Sequence, residues 1–188
     1  SIIVAGMGGS ALAADAAKVL LRDSLSIPFE VVKGYDLLAY ADKHTLVIAS
    51  SHSGNTEETV NGLNQAIKRG CQIAAIATGG KIAQIAREHN IVYAPIPHDT
   101  QPRMGVLYNL RALLCVLELF GLADNHWLKD LQATESWLKQ ESELWQSNVP
   151  TERNYAKQLA LVAVGKTPVF YAGSLMAPVA YKWKISWN

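Results

Sequence analysis

Short apolar runs alternate along the chain with stretches whose apolar residues recur at helical spacing. The runs fall at 1–6, 28–33, 45–50, 72–78 and 91–96, and the helical stretches at about 10–22, 56–69, 81–88 and 104–121. A strand that is apolar throughout is buried on both faces, as in a parallel sheet covered by helices on either side. Strand–helix alternation of this kind builds βαβ units. Their right-handed crossovers carry the strand C-termini to one edge, where open α/β sheets bind ligands. The pattern predicts an α/β fold: a three-layer αβα sandwich around a parallel five-stranded sheet over residues 1–122.

Local signals sharpen the element ends. Asn55 followed by Glu58 resembles a capping box, and Glu57 and Glu58 suit the positive end of a helix dipole. Gly70 ends that helix and Cys71 to Thr78 resumes a buried strand. From Asp124 to Val149 the pattern changes: Trp127, Leu128, Leu131, Trp137, Leu138, Leu144 and Trp145 recur among charged residues. This reads as a helical connector, residues 123–150, whose tryptophans pack into a core or an interface. Pro150 restarts a helix from Glu152 to Val164, and Thr167 to Gly173 reads as a further strand. Phe170-Tyr171-Ala172-Gly173 before Ser174 echoes Ile3-Val4-Ala5-Gly6 before Ser10. The expectation is that residues 151–188 open a second, incomplete copy of the same domain, since 38 residues after Pro150 are too few for a whole one.

Composition narrows the function classes. With 49% hydrophobic and 18% charged residues, the chain of 188 residues has the make-up of a folded domain. A formal net charge of +1 offers no attraction for a polyanion, so no nucleic-acid partner is expected. The most apolar stretch, Met104 to Ala123, contains Asn109, Arg111 and Glu118, which suits a buried helix rather than a membrane span. Cys71 and Cys115 lack metal spacing and point to a reducing compartment, so a cytoplasmic location is expected. The chain begins on a strand pattern at Ser1, with no basic leader, and is expected to be a piece of a longer protein.

The candidate chemistry lies in two glycine–serine loops, each where a strand turns into a helix: Gly6-Met7-Gly8-Gly9-Ser10 and Ser51-His52-Ser53-Gly54-Asn55-Thr56. Hydroxyls and bare backbone N–H groups at a helix N-terminus hold phosphate. Ser51, Ser53 and Thr56 supply three hydroxyls with no Lys or Arg among them, so the cradle is neutral. That suits a small sugar phosphate and lacks the lysine of a nucleotide P-loop. Gly6, Gly8 and Ala11 also fit the looser dinucleotide fingerprint, but the second strand ends in Lys33-Gly34, without the acid that would hold a ribose. Arg103 follows the fifth strand at the same edge and is a candidate to stabilise an oxyanion. The five histidines show no metal spacing, and neither a metal nor a cofactor is expected. His52 is expected to turn away from Ser51 and Ser53, and His98 and Asp99 lie just before Arg103.

The stretch from Ser51 to Thr59, Ser-His-Ser-Gly-Asn-Thr-Glu-Glu-Thr, resembles the signature of sugar isomerase (SIS) domains. Val4 to Ser10, Gly34-Tyr35-x-Leu37, Gln101-Pro102-Arg103, Asn154-x-Ala156-Lys157 and Trp183-Lys184 extend that resemblance over nearly the whole chain to the bifunctional phosphoglucose/phosphomannose isomerase family. The resemblance implies two SIS domains, a homodimer, and metal-free interconversion of glucose 6-phosphate or mannose 6-phosphate with fructose 6-phosphate through a cis-enediolate. Gly8, Gly9 and Ser10 would contact the sugar, Ser51, Ser53 and Thr56 would hold the phosphate, and Arg103 would stabilise the enediolate. The family's base is a glutamate after an asparagine past the Trp-Lys motif. Here the sequence stops at Asn188, so the base, and with it turnover by these residues alone, is expected to be missing. Leu38 stands where proline is usual, and Met104-Gly105 where small alanines are usual. The alternative is a non-catalytic phosphosugar-binding regulatory SIS module, which would share both loops.

Overall fold

A computed structural model describes residues 1–99 and 101–187; Thr100 and Asn188, the last residue after the Trp183-Lys184 motif, lie outside the description. Strands β1 (Ile2–Gly6), β2 (Phe29–Val32), β3 (Leu46–Ser50), β4 (Gln72–Ala77) and β5 (Val92–Pro95) alternate with helices α1 (Gly8–Leu20), α2 (Glu57–Lys68) and α3 (Gly80–Glu88). Helix α4 (Val106–Leu119) follows β5. The strands form one parallel sheet in the order β2-β1-β3-β4-β5. The chain therefore leaves β1 towards one side and returns as β3 on the other, which makes the gap between their C-terminal ends the switch point of the sheet. Ile2 pairs with Leu46 and Gly6 with Ser50, so both strands end at the same level and release their loops side by side.

The runs of β1 and β3 are continuous because these strands are buried on both faces. Ile2, Val4, Leu46, Ile48, Ala74 and Ile76 share a core with α1 residues Leu12 and Ala14 and α4 residues Leu113 and Leu117. The alternate residues Ile3, Ala5 and Val47 face Leu37, Ala41 and Ala66 of α2. Ala49, Ala75 and Ala77 pack against Leu63 of α2 and Ile82 of α3. One layer is thus α1 with α4, the other α2 with α3. Gly70, at φ +65°, ends α2 as expected, with the Cys71 N–H bonded back to the Ala66 carbonyl at 3.0 Å.

The expected connector consists of two helices, α5 (His126–Ala133) and α6 (Glu135–Leu144). Trp127, Leu128 and Leu131 of α5 pack against the core, whereas Trp137 and Trp145 stay 58% and 48% exposed. The helix expected at 152–164 is a 3₁₀ turn, Thr151–Arg153, followed by α7 (Tyr155–Ala163). The fully buried Asn154 separates them: its carbonyl oxygen accepts from the Lys157 N–H at 3.1 Å and its amide donates to the Gln146 carbonyl at 2.9 Å. Lys157 Nζ donates to the Ser147 and Val149 carbonyls, both at 2.7 Å. That part of the sequence motif is a splice between the connector and α7. The strand expected at Thr167 to Gly173 does not form. A strand exists only as a partner in a ladder, and no neighbouring strand flanks this segment among the described residues; Tyr171 is 91% exposed. The 3₁₀ turn Ser174–Met176 and helix α8 (Ala177–Trp187) complete the described chain.

Candidate functional site

The first loop is a sharp exit from β1. Gly8 takes φ +53°, and the Met7 carbonyl accepts from the Ser10 and Ala11 N–H groups at 3.1 and 3.3 Å. Close approach explains Gly6 and Gly9. A Cβ on Gly6 would lie 2.8 Å from the Ser50 carbonyl oxygen, and one on Gly9 would lie 2.5 Å from the Pro102 oxygen and 3.7 Å from the Arg103 Cα. The first loop therefore touches the end of β3 on one side and the turn bearing Arg103 on the other.

The second loop wraps into a cup at the start of α2. Ser51 and Thr56 share a hydroxyl–hydroxyl hydrogen bond of 2.8 Å, and the Ser51 hydroxyl accepts from the Gly54 N–H at 3.1 Å. The Ser53 hydroxyl is exposed and accepts from the Asn55 N–H at 3.2 Å. Thr56 is the N-cap of α2, yet its hydroxyl faces Ser51 and makes no capping bond, which leaves the positive end of α2 open to an anion. The expected Asn55–Glu58 capping box is absent. Asn55 instead accepts from the Lys81 N–H of α3 at 3.0 Å and donates to the Ser53 carbonyl at 3.3 Å. A tertiary partner displaced the local one. Gly54, at φ +70°, fits so closely under the β4–α3 turn that a Cβ would sit 1.8 Å from the Gly79 oxygen. The Gly54 carbonyl accepts from the Ile82 N–H at 3.0 Å, so the cup is braced on α3.

Helix α4 ties the loops together. The oxygen of the Asn109 side chain lies 3.3 Å from the Ser10 hydroxyl and 3.4 Å from the Ser50 hydroxyl, and its amide donates to the Gly105 carbonyl at 2.9 Å. Ser10, Ser50 and Asn109 are all buried. Arg103 is exposed in the turn before α4, and no ion pair among the described residues engages it. On the far side of the cup, Tyr35 points at α2, its hydroxyl donating to Glu57 at 3.4 Å. The charges of Glu58 and Glu57 raise its pKa above the usual phenol value. The Tyr35 carbonyl accepts from the Asn61 and Gln65 amides, which pins the Gly34–Leu37 motif to α2.

Of the residues singled out by sequence, Gly8, Gly9, Ser51, Ser53, Thr56 and the Arg103 turn sit at one sheet edge. Ser10 is there too, with its hydroxyl turned to Asn109. His98 and Asp99 are exposed beyond β5. Asn109, Ser50 and Gly79-Gly80 complete the site and escaped the sequence reading. The sign of Asn109 was a lone amide on an apolar helix, one turn after Gly105. A separate cavity of about 450 Å³ lies between α4, α5 and α6, lined by Leu107, Tyr108, Arg111 and Leu131 among others, away from both loops. Among the described residues no three His, Cys, Asp or Glu side chains gather in a way that could hold a metal ion, and no helix is long and apolar enough to cross a membrane.

Residues 1–123 match the family model for the SIS domain. The chain belongs to the SIS domain family. The matched residues cover the whole sheet and helices α1 to α4. Two relatives described as bifunctional phosphoglucose/phosphomannose isomerase resemble nearly the entire chain. That of Caldicellulosiruptor bescii is 37% identical over 97% of this chain and 54% of its own length. That of Aquifex aeolicus is 34% identical over 97% of this chain and 53% of its own length. The chain thus spans about half the length of these relatives. Among solved structures, tagatose-6-phosphate ketose/aldose isomerase from Escherichia coli shares the fold, with a TM-score of 0.63 at 18% identity over 96% of this chain and 50% of that one.

Proposed function

We propose that this SIS domain binds a hexose 6-phosphate across the β1/β3 switch point and serves a phosphoglucose/phosphomannose isomerase. The observation that carries the proposal is the side-by-side release of a glycine loop and a hydroxyl-lined loop from paired strand ends, the second beside the uncapped N-terminus of α2. In this reading Ser51, Ser53 and Thr56 hold the phosphoryl group. The Ser51–Thr56 bond opens so that both hydroxyls donate to phosphate oxygens, and the α2 dipole adds a fixed positive end without a cation that would slow release. Gly8 and Gly9 face the sugar with Ser10 bonded to Asn109 behind them, and the Arg103 turn, lodged against Gly9, reaches the reacting end.

The chemistry is a proton transfer. A base removes the proton from C2 of the aldose, the electron pair moves through C1 to its carbonyl oxygen, and a cis-enediolate forms; the hydroxyl proton on O2 shifts to O1, and as the base returns its proton to C1 the O2 electron pair closes the C2 carbonyl of the ketose. Arg103 is the charge that would stabilise the enediolate oxygens. C2 of that intermediate is planar, so protonation from either face yields the gluco or the manno epimer, and one site serves both sugars. The base is proposed to come from outside these residues, since the chain spans only about half the length of its relatives. Residues 151–188 are proposed to open a second SIS domain, and the complete protein is proposed to be a cytoplasmic homodimer. The exposed Trp137, Trp145 and Tyr171 favour such a partner surface.

Calorimetric titration with fructose 6-phosphate tests the cradle. Ser53→Ala and Thr56→Ala should each weaken binding by about 1–3 kcal/mol, the scale of a hydrogen bond to a charged group; unchanged affinity in both removes the cradle. In the complete protein Arg103→Ala should lower kcat more than it raises KM. Wild-type turnover in that variant takes Arg103 out of the mechanism. A complete protein that binds hexose 6-phosphate and turns none over favours the regulatory reading instead.

A further inference from the structure

We propose that Asn109 is a positioning residue, the buried link that holds the two loops and the Arg103 turn in a fixed relation. The inference rests on the phosphosugar reading of the same edge. The orientation of its amide follows from chemistry. The Gly105 carbonyl can only accept, so the NH₂ end of Asn109 faces it and the oxygen faces the serines. That oxygen can only accept, so Ser10 and Ser50 both donate to it. Each of the three bonds reaches a different part of the site. Ser10 opens the first turns of α1 behind Gly8 and Gly9. Ser50 is the last residue of β3, directly before Ser51 of the cradle. Gly105 closes the turn that bears Arg103, its N–H bonded to the Gln101 and Pro102 carbonyls at 3.1 and 3.3 Å.

The group is sealed. Asn109 is 1% exposed, Ser50 2% and Ser10 4%, so water does not substitute for a lost partner. Asn109 therefore sets the spacing between the cup that holds phosphate and the loop that faces the sugar. A phosphate ion occupies the cup alone and feels that spacing little. A hexose 6-phosphate bridges both loops and feels it fully.

The test compares the affinities of inorganic phosphate and fructose 6-phosphate, by calorimetry, in the wild type, Asn109→Leu, Ser50→Ala and the double variant, with thermal melting alongside. Leucine keeps the volume and removes both polar ends. Asn109→Leu should weaken fructose 6-phosphate by about tenfold, within the range of a coupled contact, and inorganic phosphate by clearly less. Ser50→Ala should weaken the sugar phosphate a few-fold and add little in the double variant, because both changes cut the same link. A lowered melting temperature with unchanged affinities would show a merely structural residue and overturn the inference, as would equal losses for the two ligands. If Asn109→Leu does not fold, Ser50→Ala carries the comparison, and equal losses for both ligands, or none, overturn the inference there. Absence of fructose 6-phosphate binding to the wild type overturns the underlying reading of the site itself.

Discussion

Gly54 shows how much of the site is decided by a missing atom. It adopts φ +70°, and a Cβ there would lie 1.8 Å from the Gly79 oxygen and 3.3 Å from the Ala77 Cβ. An alanine meets the left-handed backbone penalty and a backbone clash at once, and the obstacle is a carbonyl that cannot swing away. Gly54→Ala should destabilise the fold by more than about 2 kcal/mol and displace the Ser51–Thr56 cup. Chemical denaturation, with wild type and variant side by side, measures this; equal stability would mean that the β3–α2 and β4–α3 turns part without cost. Gly70 has a similar φ of +65° but nothing within 4 Å, so the two glycines differ in function although they share a conformation. The sequence alone does not separate them, because the Gly79 contact joins residues 25 positions apart.

At the scale of elements, legibility followed burial. All five strands of the sheet lie where the apolar runs place them, most clearly β1 and β3, whose five residues are buried throughout. The loops that carry Ser51, Ser53 and Thr56 were legible for the same reason: each begins where a buried run stops. What failed needed a partner that the local sequence does not name. The 167–173 segment has the composition of a strand but no ladder to join. Asn55 has the spacing of a capping box but serves α3. Asn109 reads as one polar residue in an apolar helix until Ser10 and Ser50 are brought to it. Asn154 is a case where the motif was visible and its job was not. Its side chain caps α7 and holds the end of the connector at Gln146, so Asn154→Ala should cost about 1–2 kcal/mol, the range of a lost N-cap. Hydrogen exchange should then rise first in α7 and at 146–149. Unaltered protection in both segments would show that Lys157 alone secures the junction.

For the whole molecule, the order of strands matters more than any one motif. Because β2 and β3 flank β1 on opposite sides, the sheet has one place where two successive loops part over a shared gap, and both hydroxyl-bearing loops emerge there. Asn109, in the first turn of α4, is bonded to Ser10 and Ser50 at that gap, and the turn before α4 carries Arg103 against Gly9. Four segments distant in sequence thus meet on one rim: 6–10, 50–56, 79–81 and 101–109. The acids of α2, Glu57 and Glu58, stand outside the cup towards Tyr35 rather than inside it. A crystal of this chain soaked with fructose 6-phosphate tests the account most directly. Phosphorus density is expected at the N-terminus of α2, within hydrogen-bonding distance of Ser51, Ser53 and Thr56, with the sugar extending towards Gly8 and Gly9. Density for the phosphate at any other place, with both loops unoccupied, would contradict it.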